Sequence, residues 1–426
     1  MSQQSPSAPQ PSTASPTPGG IRLSLTLAVL VGAAIPLTAL GKAMMAFCLV
    51  PAMGICIYTF GEKNDWQQFV KAIRLPLAAL VGIVFALWAV SAVGSVNVSR
   101  SFQVWGRSLL FIMLMIFLAK RLATEPRLIT IVQMTLVGSS GAILVFILFI
   151  IYVNDVPLML LQALGSSKDQ ADTAFKAYAS VMVCLLPIVL WSGIRLGGRW
   201  QASAYLLVPG TLFFLWGARS KAALLGLLAA LLAVTVIRLL LSSSRGMRRA
   251  IVAVLFISAL LGSVALLTRL PQPSVANVND YQLPAILVDH HRQVIWGFVV
   301  EKIKEKPWFG HGIDIINQTK GAAARIPEMN QNFVPSHPHN WVLEIGAETG
   351  LLGLTAISVS LLVVLRKLAV IAGSRQLVGW AGIASFAAFW GSGLTNFSIW
   401  ASWWQIVFLL TMAIVFAAAA KNPFGR

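Results

Sequence analysis

The sequence predicts an all-α integral membrane protein with about twelve transmembrane helices and one long loop on the outer side of the membrane. Of its 426 residues, 57% are hydrophobic and only 11% are charged. The mean hydropathy of +0.79 is far above that of a water-soluble domain. Apolar stretches of about 20 residues, the length that crosses a bilayer as a helix, recur along nearly the whole chain.

Hydropathy, with Gly, Pro and charged clusters as boundaries, locates the spans. We predict them at 22–40, 43–60, 75–93, 107–119, 127–152, 177–194, 201–217, 221–241, 250–268, 341–365, 376–396 and 399–420. The fourth span is short, and its helix is expected to begin inside the preceding loop. The last two spans are nearly continuous.

The chain therefore divides into four parts. Residues 1–20, rich in Ser, Pro and Gln and without charge, are predicted to be a disordered cytoplasmic tail without a cleaved signal peptide. Residues 21–268 hold nine spans, 269–340 form the outer loop, and 341–426 hold the last three spans and the C-terminus. All three cysteines lie in apolar segments, which predicts neither a disulfide framework nor a cysteine metal cluster.

The distribution of Lys and Arg predicts the orientation of the chain. With the N-terminus inside, the inner segments carry 18 of the 32 Lys and Arg residues, and the outer segments carry 14 together with 11 of the 14 acidic residues. This bias predicts that both termini are cytoplasmic. We interpret the net charge of +18 as an orientation signal and an affinity for anionic membrane lipids, and not as a nucleic-acid-binding surface.

The outer loop of 72 residues is long enough to indicate a function. Within it, residues 289–306 are predicted to form an amphipathic helix with Asp289 as its N-cap, which could lie along the membrane surface. The sequence PWFGHG at 307–312 predicts the turn that ends this helix.

All five histidines of the chain fall in this loop, at 290, 291, 311, 337 and 339. The first three are as well explained by tolerance of histidine in a polar loop as by function. The pair His337 and His339 lies in the run SHPHNWVLEIGAETG. We expect Pro338 at the first helical position, with His339 and Asn340 in the first turn of the tenth span, where a helix N-terminus favours an anion such as phosphate.

Asn340, Glu344 and Glu348 follow at intervals of four residues on one face of the same span. Carboxylates within a membrane are costly, so they usually have a function or a charged partner. The alternative is that both glutamates pair with nearby cations and only fix helix packing.

Three cations lie on the side of the membrane where the charge bias disfavours them. Arg219 and Lys221 stand between the seventh and eighth spans, and Arg292 lies early on the loop helix. A guanidinium matches a phosphate bidentately, so we predict a phosphate-binding role for the arginines. The alternative for each is snorkelling at the membrane surface.

A metal site is the less favoured interpretation of the histidines. His337 and His339 could bind zinc with Asp314 or Glu328, but the chain has no HExxH spacing or cysteine pair. The sequence also has no Walker loop or GxGxxG fingerprint. We therefore predict that the protein has no cofactor. We also predict that His339, or His337 in its place, acts as a general base.

The motifs resemble those of the O-antigen ligase and polymerase superfamily. The run HPHNWVLEIGAETGLLGL, preceded by PWFGHGI and HRQVIWGF, is similar to the signature of that family, and GARSK resembles its upstream arginine motif. The similarity covers roughly residues 215 to 355, and the first 200 residues share only the serial spans.

The resemblance implies an O-antigen ligase in a Gram-negative inner membrane with its active site facing the periplasm. Such an enzyme transfers a polysaccharide from undecaprenyl diphosphate to a sugar of the lipid A-core, with inversion and without a metal. His339 or His337 would be the base, Glu344 would orient it or hold an acceptor hydroxyl, and Arg219, Lys221, Arg292 and Asn340 would bind the diphosphate. The alternatives are an O-antigen polymerase, a ligase that glycosylates protein, and a flippase or transporter of lipid-linked glycan.

Overall fold

The computed structural model describes residues 18–59, 76–163, 174–271, 282–285, 288–326 and 329–420. The predicted disordered tail lies outside these residues except for 18–20, which instead begin the first helix. The C-terminal residues 421–426 are also outside the described part.

The described part of the chain is built almost entirely from α-helices, which confirms the predicted class. The fourteen α-helices are α1 (Pro18–Ala34), α2 (Lys42–Tyr58), α3 (Pro76–Val93), α4 (Val98–Thr124), α5 (Pro126–Tyr152), α6 (Val156–Ala163), α7 (Lys176–Leu196), α8 (Gly198–Ala218), α9 (Lys221–Ser242), α10 (Arg245–Leu267), α11 (His290–Glu305), α12 (Trp341–Gly373), α13 (Leu377–Ser392) and α14 (Ser402–Ala420). Two 3-10 turns, Pro36–Leu40 and Ile316–Gln318, and a hairpin of β1 (Arg325–Ile326) and β2 (Gln331–Asn332) complete them.

Each of the twelve predicted spans coincides with one helix. The fourth begins at Val98, inside the preceding loop as expected, because Asn97 caps it by accepting the Arg100 N–H at 3.1 Å. Seven of the described helices, α4, α5, α7, α9, α10, α12 and α14, are long and apolar enough to cross a membrane. The count of twelve crossings stays a prediction.

The bundle packs around α7, whose span is 78% buried. This helix contacts α5, α8, α9 and α13, while α12 packs on α3 and α13, and α14 packs on α4. In contrast, α10 has no buried residue and barely touches its neighbours. An apolar helix with that exposure must be covered by something other than the described chain, which is what lipid provides.

The connection between α10 and α12 folds onto one end of the bundle, which we call the loop end. Ser101 near the start of α4 donates to the Ile313 carbonyl at 2.9 Å, and Lys221 at the start of α9 approaches the Ala285 carbonyl at 3.5 Å. The starts of α4 and α9 follow connections that the sequence predicts on the outer side of the membrane. Their contacts place both of these connections at the same end of the bundle as the loop.

The loop has its own small apolar core beside the main one. Ile295, Trp296 and Val299 of α11 pack against Leu343 and Ala347 of α12. The predicted loop helix is confirmed, with Asp289 accepting the Arg292 N–H at 3.0 Å as its N-cap. A buried core of this kind fixes α11 against the start of α12.

The PWFGHG turn fills a break in α12. Gly350 has φ of +70° inside that helix, and a Cβ on it would lie 2.2 Å from the Trp308 carbonyl oxygen. The backbone groups that the break frees are bonded instead to the turn: Leu351 N–H donates to the Pro307 carbonyl at 2.7 Å, and the Ala347 carbonyl accepts the His311 N–H at 3.0 Å. The turn and the break therefore satisfy one another's backbone hydrogen bonds.

Candidate functional site

The start of α12 differs from the prediction. Asn340 is the N-cap, and its side chain accepts the N–H groups of Val342 at 3.0 Å and Leu343 at 3.2 Å. Pro338 is therefore outside the helix, and His339 precedes the cap instead of lying in the first turn. The physical reason is that an Asn side chain satisfies two free N–H groups at a helix start, which Pro at the first position cannot do. Because those N–H groups are occupied, Asn340 serves the helix and leaves fewer donors for an anion.

His339 is held by the link between α13 and α14, which we define as residues 393–401. Its backbone has φ of +56°, and its Nδ1 lies 3.1 Å from the Asn396 carbonyl oxygen. A carbonyl only accepts, so Nδ1 carries the proton and Nε2 carries the lone pair. Burial, followed by the positive charge of Arg292, lowers the pKa of His339 to about 4. The imidazole is neutral near pH 7 and has the tautomer that a general base at Nε2 requires.

His337 packs against His339 with ring centroids 4.1 Å apart. Its Nδ1 is 2.9 Å from the Ser336 hydroxyl, while its Nε2 is buried without a well-formed hydrogen bond to the described residues. The backbone of Asn396 is near enough to the ring to raise its pKa. Burial lowers the pKa of His337 to about 3, with smaller contributions from His339 and from the cations Arg292 and Lys42. A buried ring nitrogen without a well-formed hydrogen bond is costly, and a ligand hydroxyl at this nitrogen would relieve that cost.

Arg292 stands on α11 beside the histidine pair. It forms an ion pair with Asp289, Nε to Oδ2 at 3.3 Å, and its side chain is 25% exposed. Trp296, one turn further along, donates its indole N–H to the Pro338 carbonyl at 2.9 Å. This contact aligns α11 with the histidine segment and places the Arg292 guanidinium where its charge acts on His339.

Arg219 and Lys221 lie at the loop end, in an exposed turn between α8 and α9. Arg219 is the C-cap of α8 with φ of +47°. Lys221 contacts Ala285, and the nearby Leu283 carbonyl accepts the Gln293 side chain of α11 at 2.9 Å. The turn thus contacts the segment that leads into α11, but no hydrogen bond or ion pair of the described residues joins Arg219 to either imidazole.

The two glutamates of α12 do not pair with cations in hydrogen bonds or ion pairs of the described residues. Glu344 accepts the Ile399 N–H at 2.9 Å. Glu348 accepts the N–H groups of residues 314–316 and the indole N–H of Trp400. Both carboxylates therefore fix segments of backbone at the loop end, and Glu344 bonds to the same link that holds His339.

The other three histidines have separate positions. His311 is buried, and its Nε2 lies 2.9 Å from the Lys302 carbonyl of α11, while burial lowers its pKa. His291 contacts the Asn332 carbonyl at 3.2 Å, and His290 is exposed. His311 and His291 therefore fix the loop through hydrogen bonds, which is a structural role.

The residues considered for a metal are not assembled in the described part of the chain. Asp314 forms an ion pair with Arg100 at 2.9 Å, and Glu328 lies outside the described residues. No group of three or more His, Cys, Asp or Glu in the described ranges is close enough to hold a metal ion.

Sequence reasoning missed two residues of this site. Asn396 lies in a link that the prediction treated as part of a continuous apolar stretch, and nothing local marks its carbonyl as a partner of His339. Lys42 acts on His337 from the start of α2. Its signal was available, because it is a cation in a short connection on the disfavoured side.

Comparisons with known proteins agree with the resemblance. Residues 204–358 match the O-antigen ligase family. This segment runs from α8 into α12 and contains Arg219, Arg292, His337, His339 and Glu344. It does not contain Lys42 or Asn396.

Three Rickettsia proteins carry the name "putative polysaccharide ligase". The chain is 29% identical to that of R. conorii over 117 residues, 27% of this chain and 28% of the relative. It is 30% identical to that of R. bellii over 120 residues, again 27% and 28%. It is 28% identical to that of R. prowazekii over 151 residues, 35% and 37%. The chain thus spans well under half the length of the relatives that it matches.

Proposed function

We propose that this protein is an O-antigen ligase of a Gram-negative inner membrane. It would transfer a polysaccharide from undecaprenyl diphosphate to a sugar of the lipid A-core. The observation that carries the proposal is the geometry of His339. It is a neutral imidazole whose Nδ1 is fixed on a carbonyl and whose Nε2 has no hydrogen bond among the described residues, and it lies near Arg292 within the segment that matches the O-antigen ligase family.

The chemistry follows from this arrangement. His339 Nε2 takes the proton of an acceptor hydroxyl while its oxygen attacks the anomeric carbon of the donor sugar. The bond from that carbon to the diphosphate oxygen breaks, and the electron pair leaves with the lipid diphosphate. Arg292, with Arg219 and Lys221 from the neighbouring turn, would stabilise the leaving charge. One direct displacement inverts the anomeric configuration, and the step uses no metal and no cofactor.

Glu344 has a positioning role in this proposal. Its bond to Ile399 holds the link whose Asn396 carbonyl sets the tautomer of His339. His337 would be the alternative base or a donor to the acceptor sugar, since its Nε2 makes no well-formed hydrogen bond to the described residues.

The lipopolysaccharide of a cell that lacks this protein tests the assignment. Core without polymer, together with accumulated long lipid-linked polymer, is the expected result. Core carrying a single repeat would indicate a polymerase instead. Purified protein must also join the glycan covalently to the acceptor, because a flippase or transporter would move the donor without making a bond.

The periplasmic orientation is tested by cysteine labelling. With the native cysteines replaced, a cysteine at position 320 in the loop should react with a membrane-impermeant maleimide added from the periplasm. A cysteine at position 246, at the start of α10, should react only after the cells are opened. Reversed labelling would overturn the orientation and the periplasmic site.

A further inference from the structure

Lys42, Trp403 and Phe397 form a cluster at the loop end, which we call the Lys42 cluster, and the proposed mechanism does not use it. Lys42 is the first residue of α2 and is exposed. Its Nζ lies 5.0 Å from the ring centroid of Trp403 and 5.9 Å from that of Phe397. The two rings meet edge to face at 4.7 Å. The ammonium makes no ion pair with a carboxylate of the described residues.

The Lys42 cluster lies next to the segment that holds the histidine pair. Phe397 directly follows Asn396, whose carbonyl holds His339. The charge of Lys42 also acts on His337, as does that of Arg292. The positive charges of two helices, α2 and α11, therefore both lower the pKa of His337.

A cavity of about 60 Å³ lies next to Lys42. Lys42, Trp403, Thr38 and Tyr178 are among its lining residues. The Tyr178 hydroxyl donates to the Met182 sulfur at 4.0 Å, a weak hydrogen bond, and its oxygen can still accept. A cation, a hydroxyl and aromatic faces thus border the same small space.

This combination of groups identifies a class of ligand. An ammonium binds a phosphate as a point charge, and aromatic rings pack against the apolar face of a sugar. Packing alone explains the contact of Lys42 with the rings. It does not explain why a cation that pairs with no carboxylate of the described residues is retained on the side where cations are disfavoured, where its charge acts on His337.

We propose that Lys42, Trp403 and Phe397 form a subsite for a phosphate-bearing sugar next to the histidine pair. Its role in transfer rests on the proposed function. The phosphate has two possible sources, the sugar diphosphate of the donor or a phosphate on the acceptor saccharide.

Binding of a soluble probe tests the subsite without any transfer reaction. Titration calorimetry of the purified full chain would use glucose 1-phosphate, with methyl glucoside as the uncharged probe. Lys42→Gln should weaken glucose 1-phosphate binding by about tenfold or more, as loss of a charge-assisted hydrogen bond does, and leave methyl glucoside unchanged. Trp403→Leu should weaken both probes, and Lys42→Arg should keep most of the affinity.

Lys320→Gln is the matched control, because Lys320 is also an exposed lysine of the loop end. Equal affinities for Lys42→Gln and Lys320→Gln, in proteins with unchanged thermal midpoints, would overturn the subsite. Failure of the wild type to bind glucose 1-phosphate saturably would overturn it too.

Transfer kinetics then separate the two sources. A raised KM for the donor alone assigns the phosphate to the diphosphate, and a raised KM for the acceptor alone assigns it to the acceptor. An active enzyme whose two KM values are unchanged by Lys42→Gln would refute a role in the reaction. A protein that binds the probe through Lys42 but transfers no glycan would refute the proposed function and leave the subsite intact.

Discussion

Replacing Glu348 with glutamine should release the loop from α12. The Glu348 carboxylate accepts the N–H groups of Asp314 at 2.8 Å and of Ile315 and Ile316 at 3.0 Å each, and also the indole N–H of Trp400. All four partners are donors. A glutamine keeps one acceptor oxygen and turns an NH₂ group toward two of these donors, which stay buried and unpaired. At about 1–3 kcal/mol for each, the substitution should cost about 2–6 kcal/mol.

Hydrogen exchange of the backbone amides at 314–316 measures this cost directly, because exchange requires the local opening that the carboxylate opposes. Even about 2 kcal/mol should speed their exchange by about thirtyfold. The matched control is Glu301→Gln, which removes a 42% exposed carboxylate paired with Lys304 on α11 and should change exchange little. Unchanged protection at 314–316 in Glu348→Gln would refute the idea that this carboxylate anchors the loop.

Three further perturbations address the base, the cations and the break in α12. His339→Ala should lower turnover by about 10²–10⁴-fold with donor binding retained, and His337→Ala should do less. Because the pKa of His339 is about 4, kcat/KM should be level above that pH and fall below it. A bound diphosphate should raise this pKa, so the acid limb of kcat lies at higher pH. If the acid limb of the pH profile is unchanged in the His339 variant, His339 is not the base. Arg292→Ala or Arg219→Ala should abolish most transfer in protein that still inserts, with partial rescue by Lys, and full activity would assign that arginine to snorkelling. Gly350→Ala should lower the thermal midpoint, since the residue has φ of +70° and its Cβ would meet the Trp308 carbonyl at 2.2 Å, a strain of about 1–3 kcal/mol. A thermal midpoint equal to that of the wild type would show that the PWFGHG turn shifts without cost to make room for the Cβ.

The sequence predicted features whose signals are local. Each transmembrane helix is specified by its own apolar run, because burial in lipid requires only length and hydropathy. The loop helix was predicted within one residue at either end, since its cap Asp289 and its apolar periodicity are read from neighbouring positions. The resemblance to O-antigen ligases also depends on a contiguous motif.

The start of α12 shows where local signals compete. Pro338 and Asn340 are both common at helix starts, and the sequence alone favoured the proline. The structure uses Asn340 because its side chain caps two N–H groups, while His339 turns away to the Asn396 carbonyl, 57 residues along the chain. That contact exists only after α13 and α14 have packed.

The sequence by itself determined the helical class, the location of the apolar helices and the loop that carries the histidines. Only the tertiary structure decided the partners of the charged residues. Glu344 and Glu348 bind backbone N–H groups 32 to 55 residues away, where the sequence also allowed pairing with cations. The charge of Lys42 acts on His337 from a distant helix. Helices form from interactions within a few residues, whereas a buried charge is stabilised by whichever donors the packed bundle brings to it.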